Sequence, residues 1–118
     1  MKETLGPQER IRKKKDFDTI YKNGNRFRGK YLTLVYLDNH LAFSRLGVVA
    51  SRKVGGAVMR NRVKRRMREF FRRNKMLISR PVDMVAIAKG EAASVSGPEF
   101  RQDFLSALRG LEKRRPAR

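Results

Sequence analysis

The sequence has no cysteine and only one histidine, and its 11 acidic residues are few beside 30 Lys and Arg. Without cysteine there can be no disulfide, zinc–thiolate site, iron–sulfur cluster or thiolate nucleophile, and we expect a reducing compartment. No segment approaches the roughly 20 apolar residues that a membrane-spanning helix needs. No apolar run follows the basic residues near the N-terminus, as it would in a signal peptide. These absences predict a soluble, cytoplasmic protein.

The length of the chain, 118 residues, is enough for one domain. We predict a single domain over residues 1–118, with a flexible basic arm at residues 1–12 and a basic tail at residues 112–118. The formal net charge is +19 and the isoelectric point is near 11.5. Because this charge repels itself unless a polyanion is bound, the leading partner classes are nucleic acid and an anionic membrane surface.

Apolar residues spaced three and four apart predict three helices. The first runs from about residue 14 to Asn23-Gly24, where a left-handed glycine is expected to end it. The second spans residues 57–74, and the third begins after Ser96, which can cap it, with Glu99 completing a capping box.

Strands are predicted from β-branched, aromatic and apolar runs at residues 31–37, 46–50 and 82–88. The first two are close enough in sequence to pair as an antiparallel hairpin. With about four strands in all, the order α-β-β-(β)-α-β-α predicts an α+β fold. Three helices pack with one small, mostly antiparallel sheet.

The helix predicted over residues 57–74 is the most informative segment. Between Arg60 and Lys75, nine of sixteen residues are Lys or Arg, and only Glu69 is acidic. At 100° per residue, two rows of cations flank an apolar stripe that consists of Met59, Val63, Met67 and Phe70, with Phe71 at its margin. Such rows repel each other, and a polyphosphate would relieve the repulsion. Arginine predominates, and its planar fork binds phosphate bidentately and stacks on bases. A basic surface kept for solubility is the alternative interpretation.

Three short motifs make the sequence recognisable. Ser51-Arg52-Lys53, Gly55-Gly56-Ala57-Val58 and Arg60-Asn61-Arg62 follow one another in this order and spacing. The string closely resembles the bacterial ribonuclease P protein component, the family of the Arg-Asn-Arg motif. The resemblance covers most of the chain, from the helix that contains Lys15-Asp16-Phe17 to the last helix.

This resemblance implies a protein subunit of a ribozyme that removes the 5′ leader from precursor tRNA. The RNA would catalyse phosphodiester hydrolysis with Mg²⁺ bound mainly by RNA and substrate, and the protein would hold no catalytic residue and no metal. The implied partners are ribonuclease P RNA and precursor tRNA, with no membrane and no obligate protein partner. The family fold also implies a left-handed βαβ crossover, although right-handed crossovers are the rule.

The resemblance also carries over site residues by position. Those that match the RNA-facing helix and the basic pair before it are Arg52, Lys53, Arg60, Asn61, Arg62, Lys64, Arg65, Arg66 and Arg68. Phe17 and Tyr21 match aromatic positions that border the family's leader-binding cleft, where rings can stack unpaired bases with little sequence preference. The family often has a further aromatic residue on the strand in that cleft. Its position aligns with Val35, and Tyr36 beside it points to the opposite face, so both Val35 and Tyr36 are taken as candidate leader-binding residues. Core packing is the alternative role for Phe17 and Tyr21.

Two other function classes fit part of the pattern. A nuclease that acts alone needs clustered carboxylates or a catalytic histidine, but His40 lies in a predicted turn, and Asp16 and Asp18 diverge around a helix. A ribosomal-type RNA-binding protein or a chromatin-like DNA-binding protein would share the basic helix. Cleavage of precursor tRNA by the catalytic RNA at low Mg²⁺, with and without the protein, distinguishes this binding class from the first hypothesis.

Overall fold

A four-stranded sheet organises the fold. The computed structural model describes residues 6–114, and the strands are β1 (Asn25–Arg28), β2 (Leu32–Asp38), β3 (Arg45–Ala50) and β4 (Val82–Ala88). Their order across the sheet is β1-β2-β4-β3. β2 is antiparallel to β1 and β4, whereas β3 is parallel to β4. The prediction of an α+β fold with a small, mostly antiparallel sheet is confirmed, with one parallel pair.

The predicted hairpin between residues 31–37 and 46–50 is wrong, because β4 lies between β2 and β3. β4 is apolar at every position except Asp83 and is buried along nearly its whole length, so it takes a central position covered on both faces. The hairpin of this fold joins β1 to β2 instead. β1 is a mostly exposed edge strand whose only apolar residue is Phe27, so its sequence carries almost no strand pattern.

The three predicted helices are confirmed as α1 (Lys14–Asn23), α2 (Ala57–Asn74) and α3 (Gly97–Lys113). α3 begins as predicted, since the Ser96 hydroxyl accepts a hydrogen bond from the Glu99 N–H at 3.2 Å. α2 and α3 cover one face of the sheet, and α1 lies on the other. No helix in the described part of the chain is long and apolar enough to cross a membrane.

The basic helix α2 connects the two parallel strands of the sheet. It follows β3 and leads to β4, so β3, α2 and β4 form a βαβ unit. The hand of this crossover stays a prediction from the family resemblance.

Gly24 ends α1 as predicted, but its backbone is not left-handed. Its φ is −81°. A Cβ atom at this position would lie 2.6 Å from the Ile20 carbonyl oxygen and 2.8 Å from the Tyr36 carbonyl oxygen. Glycine is therefore needed for the close approach of this turn to β2, rather than for the sign of φ.

The main core lies between the sheet and the helices α2 and α3. Val63, Met67 and Phe71 of α2 are completely buried in it. Phe70 is half-buried, and its ring meets that of Phe100 edge-on at a centroid distance of 5.5 Å. The buried stripe of α2 is thus centred on Phe71 instead of Phe70, and the opposite side of the helix is left to solvent.

Part of the predicted arm, within residues 6–12, packs against the sheet. Only 4% of the Ile11 surface is exposed, and its N–H donates to the Leu46 carbonyl of β3 at 2.9 Å. Arg10 forms a parallel bridge with Leu46, so this segment runs beside the outer strand of the sheet. One apolar residue between basic ones makes too weak a pattern to predict this contact.

The predicted tail at residues 112–118 begins inside α3, which continues to Lys113. Glu112 accepts a hydrogen bond from the Ser79 N–H at 2.9 Å, so the end of the helix is attached to the segment before β4. The remaining residues of the predicted arm and tail, 1–5 and 115–118, lie outside the described residues.

Candidate RNA interface

The surface of α2 that faces away from the core is basic over its first three turns. Its exposed residues are Asn61, Arg62 and Arg65, and its half-buried residues beside the apolar stripe are Arg60, Lys64, Arg66 and Arg68. Among residues 6–114, no carboxylate lies within 4 Å of any of these six cations. The helix therefore carries a concentrated positive charge that the described residues do not neutralise.

The last turn of α2 differs because it contains an acid. Hydrogen bonds from Arg72 and then Arg73 to the Glu69 carboxylate hold the pKa of Glu69 below its usual value. The bond from Arg73 Nε is 2.8 Å long. Within α2, the uncompensated charge is thus confined to residues 60–68.

The two basic residues before α2 lie in a short 3₁₀ turn, Arg52–Val54, and both are exposed. Val54 anchors this turn in the core, with 4% of its surface exposed. Gly55 follows with φ at 141°, a conformation that favours glycine. The turn places Arg52 and Lys53 at the end of α2 that carries Arg60, whose buried Nε has no hydrogen-bond partner among the described residues.

Arg68 lies among other guanidinium groups. Its burial, followed by the positive charges of Arg10, Arg12 and Arg65, lowers its pKa. Arg10 and Arg12 belong to the segment that runs beside β3, so the basic surface extends beyond α2. Sequence reasoning missed this pair, and the only signal for it was the single apolar residue, Ile11, between the two.

α1 covers only part of the second face of the sheet. Its aromatic residues Phe17 and Tyr21 are half-buried, and their ring centroids lie 6.2 Å apart. The Phe17 ring rests on β3, where a Cβ atom at Gly47 would lie 2.8 Å from the ring. Burial raises the pKa of Tyr21, opposed by the charge of Arg26.

Beyond α1, this face continues as one row of side chains across all four strands. The strand register aligns, from β1 to β3, the residues Arg28, Thr33, Ile87 and Val49. Side chains alternate along a strand, and Val49 and Ile87 pack in the same cluster as Phe17. Within this row, Val49 and Ile87 form a partly exposed apolar surface, called the floor below, and Arg28 adds a cation at the β1 edge. Such a surface suits the bases and phosphates of a single nucleic acid strand.

A cleft of about 710 Å³ opens beside this row. Ile87 of the floor and Lys53 of the basic turn both line it, and so does Lys89, whose Nζ donates to the Gly29 carbonyl at 2.6 Å. The open sheet face and the turn before α2 are therefore contiguous.

Residues 5–112 match the family model described as Ribonuclease P. The chain belongs to the ribonuclease P protein family. It is 47% identical over 92 residues to the ribonuclease P protein component of Syntrophus aciditrophicus, covering 78% of this chain and 77% of the relative. It is 42% identical over 116 residues to that of Thermotoga maritima, covering 95% and 99%. The solved structure of Staphylococcus aureus RNase P protein matches with a TM-score of 0.81 at 30% identity, covering 88% of this chain and 95% of that one.

Family membership gives this chain a role in an RNA-processing enzyme and implies an RNA partner. The structural match also confirms the predicted architecture of three helices and a four-stranded sheet.

Neither strand residue predicted for the leader cleft is accessible to solvent. Val35 lies on the α1 side of the sheet but is completely buried. Tyr36 points to the other side, where only 2% of its surface is exposed in the main core. β2 is covered on both faces at this point, so the accessible floor comes instead from Val49 and Ile87, which sequence reasoning missed because strand register is a tertiary property.

The carboxylates in the described part of the chain are dispersed. Among residues 6–114, no three His, Asp or Glu side chains lie close enough to hold a metal ion together. Asp18 pairs with Lys14 at 3.1 Å, and Asp16 faces Arg45 at 3.7 Å, so the two do not converge. Oxygen-rich coordination is what Mg²⁺ prefers, and this donor set does not fit such a site.

Proposed function

We propose that this protein is the RNA-binding subunit of a cytoplasmic ribonuclease P ribonucleoprotein. It binds the catalytic RNA through α2 and the turn before it, and it binds the 5′ leader of precursor tRNA along the open sheet face. The RNA subunit catalyses the Mg²⁺-dependent endonucleolytic hydrolysis that leaves the mature 5′ end of the tRNA.

The uncompensated charge between residues 60 and 68 is the observation that carries this proposal. Six cations on little more than two turns of helix repel one another, and no described carboxylate within 4 Å relieves them. RNA phosphates would do so, and arginine can contact them bidentately. Asn61 is exposed between Arg60 and Arg62, where it can donate to and accept from a base edge or a ribose hydroxyl.

Leader binding is supported by the chemistry of the α1 side of the sheet. Phe17 and Tyr21 border a floor formed by Val49 and Ile87, and Arg28 lies at its edge. Stacking on rings and apolar side chains depends little on base identity. This surface therefore suits leaders of many sequences.

Catalysis is assigned to the RNA because the described residues do not form a metal-binding or acid–base cluster. His40 is exposed in a turn with φ at 59°. Mg²⁺ bound by RNA and substrate supplies the charge stabilisation that phosphodiester hydrolysis needs. The contribution of the protein is to place cations beside the RNA, which lowers the concentration of Mg²⁺ required for folding and cleavage.

The test is cleavage of precursor tRNA by the catalytic RNA over a range of Mg²⁺ concentrations, with and without the protein. We expect the protein to shift the required Mg²⁺ concentration downward and to cleave nothing by itself. A polyarginine peptide at equal total charge is the control for general screening. The proposal is wrong if the protein leaves the Mg²⁺ dependence unchanged, if the peptide replaces it fully, or if rigorously RNA-free protein cleaves the substrate.

A further inference from the structure

The N-terminal segment is attached to the fold at two points beside α2. The Ile11 N–H donates to the Leu46 carbonyl at 2.9 Å, which fixes the segment along β3. Glu9 binds Lys75, the residue that follows α2, with an Oε2–Nζ distance of 2.7 Å. The position of the segment relative to the helix is therefore defined.

The side chains of Arg10 and Arg12 point toward α2. Arg10 has extended backbone, with φ at −108° and ψ at 132°, and side chains of an extended chain alternate. Ile11 packs on the α1 side of the sheet, in the cluster that contains Phe17. Its two neighbours consequently face the opposite side, where α2 packs against β3.

The lengths of the N-terminal segment and of the facing part of α2 also match. From Glu9 to Arg12 an extended chain advances about 10 Å. From Lys75 back to Arg68, seven residues of helix span about the same 10 Å. The segment thus runs antiparallel to α2, and Arg12 comes beside Arg68, with Arg65 one turn further along the helix.

These four guanidinium groups have no described counter-charge. In keeping with this placement, burial and then the charges of Arg10, Arg12 and Arg65 lower the pKa of Arg68. Among residues 6–114, no carboxylate lies within 4 Å of any of the four. The Nε of Arg10 is buried and has no hydrogen-bond partner there. A buried, unpartnered donor on a crowded cation is costly for the free protein.

We infer that Arg10 and Arg12 of the N-terminal segment, together with Arg65 and Arg68 of α2, form a binding site for the phosphodiester backbone of RNA. The inference rests on the proposed function and extends it to a second chain segment. Guanidinium forks from two sides can contact the non-bridging oxygens of one phosphate or of two successive phosphates. The RNA would thus be held between the segment and the helix, instead of lying on the helix alone.

The first test compares Arg10→Ala/Arg12→Ala with Arg101→Ala/Arg109→Ala, a control that removes two exposed arginines from α3. Affinity for the catalytic RNA is measured over a range of KCl concentrations. We expect the first variant to reduce the slope of log affinity against log salt by roughly one to two units, and the control by less than half a unit. Binding of precursor and mature tRNA to the assembled holoenzyme, measured in parallel, distinguishes a phosphate of the catalytic RNA from one of the leader.

A second test asks whether the two segments bind the same phosphates. In a double-mutant cycle, Arg12→Ala and Arg68→Ala should be non-additive in RNA affinity. Arg12→Ala and Arg52→Ala, which affect opposite ends of α2, should be additive. Arg12→Ala should also leave the free protein equally stable or more stable in low salt, because it removes repulsion at an exposed residue. A merely structural role for Arg12 predicts the opposite change in stability.

Equal salt slopes for the double variant and the α3 control would overturn the inference, as would additivity of Arg12→Ala with Arg68→Ala. Both results leave the proposed function intact if the wild-type protein still lowers the Mg²⁺ requirement of precursor tRNA cleavage. If the wild-type protein does not bind the catalytic RNA at all, the proposed function fails instead.

Discussion

Two aromatic residues on α1 differ in how much of their role is structural. The Phe17 ring covers β3 at Gly47, where there is no space even for a Cβ atom, so it helps to fix α1 on the sheet. Tyr21 lies one turn later at a ring distance of 6.2 Å and is half-buried. Tyr21 is therefore the cleaner probe of leader binding, since Phe17→Ala would also remove packing.

Replacing Tyr21 with alanine should weaken discrimination between precursor and mature tRNA. The loss of one stacked base corresponds to about 1–3 kcal/mol, or roughly a fivefold or larger drop in precursor affinity. Tyr21→Phe keeps the ring and should retain the preference. Binding of both RNAs to the holoenzyme measures the effect. An equal loss for precursor and mature tRNA in Tyr21→Ala would show that the residue does not contact the leader.

At single residues, prediction from sequence succeeded where the pattern is local. The rows of cations on α2 follow from the helical period, and the structure places them beside the buried stripe as expected. Arg12, Val49 and Ile87 were missed because their neighbours come from other strands and helices. Val35 and Tyr36 were both candidates for the cleft. Alternation placed them on opposite faces of β2, but it does not reveal that both faces are covered at this point.

Among the secondary-structure elements, an ion-pair network connects α1, β3 and β4. Arg45 of β3 donates to both carboxylate oxygens of Asp83 in β4, at 2.8 and 2.5 Å, and its third nitrogen faces Asp16 of α1 at 3.7 Å. Asn39 donates a further hydrogen bond to Asp83 at 2.8 Å. The hydrogen bond with Asp83 raises the pKa of Arg45 against the effect of burial. The network thus joins the parallel strand pair to the helix that borders the proposed leader site.

Asp83→Asn should destabilise the fold by about 3 kcal/mol, because it removes the carboxylate that binds the largely buried Arg45 through two hydrogen bonds and leaves only Asp16, at 3.7 Å. Asp18→Asn is the matched control, since the Lys14–Asp18 pair is exposed and contributes about 0.5 kcal/mol or less. Urea unfolding in phosphate buffer gives both values. If the two variants lower the free energy of unfolding by the same small amount, the network does not stabilise the packing of these elements.

The elements themselves were predicted better than their pairing. All three helices begin where expected, and α1 and α2 also end there, because helix-terminating residues and apolar periodicity are encoded locally. The pairing of β2 with β3 was wrong because proximity in sequence favours hairpins, whereas β4, distant in sequence, is the strand whose burial stabilises the centre of the sheet. β1 has one apolar residue, so its own sequence does not predict a strand. It forms a strand because its backbone pairs with β2.

In the whole molecule, repulsion among basic residues destabilises the folded state, whereas burial of the apolar core stabilises it. The net charge is +19 on 118 residues, and the described chain has a radius of gyration of 13.4 Å. α2 must dock its buried stripe for the core to form, yet it carries the uncompensated cations of residues 60–68 and faces Arg10 and Arg12. Packing of this helix therefore brings like charges together.

Folding should consequently be coupled to anion binding. A ligand that binds only the native state stabilises it by about 2.7 kcal/mol at a hundredfold excess over its Kd, which is a large share of the stability of a small domain. We expect circular dichroism in low-salt buffer to show incomplete helicity that sulfate restores at lower ionic strength than chloride does. Arg10→Ala/Arg12→Ala should be more helical before any salt is added, because part of the repulsion is gone. If sulfate and chloride curves coincide at matched ionic strength, general screening is sufficient and no specific anion site is involved. If helicity is complete before either salt is added, folding is not coupled to anions.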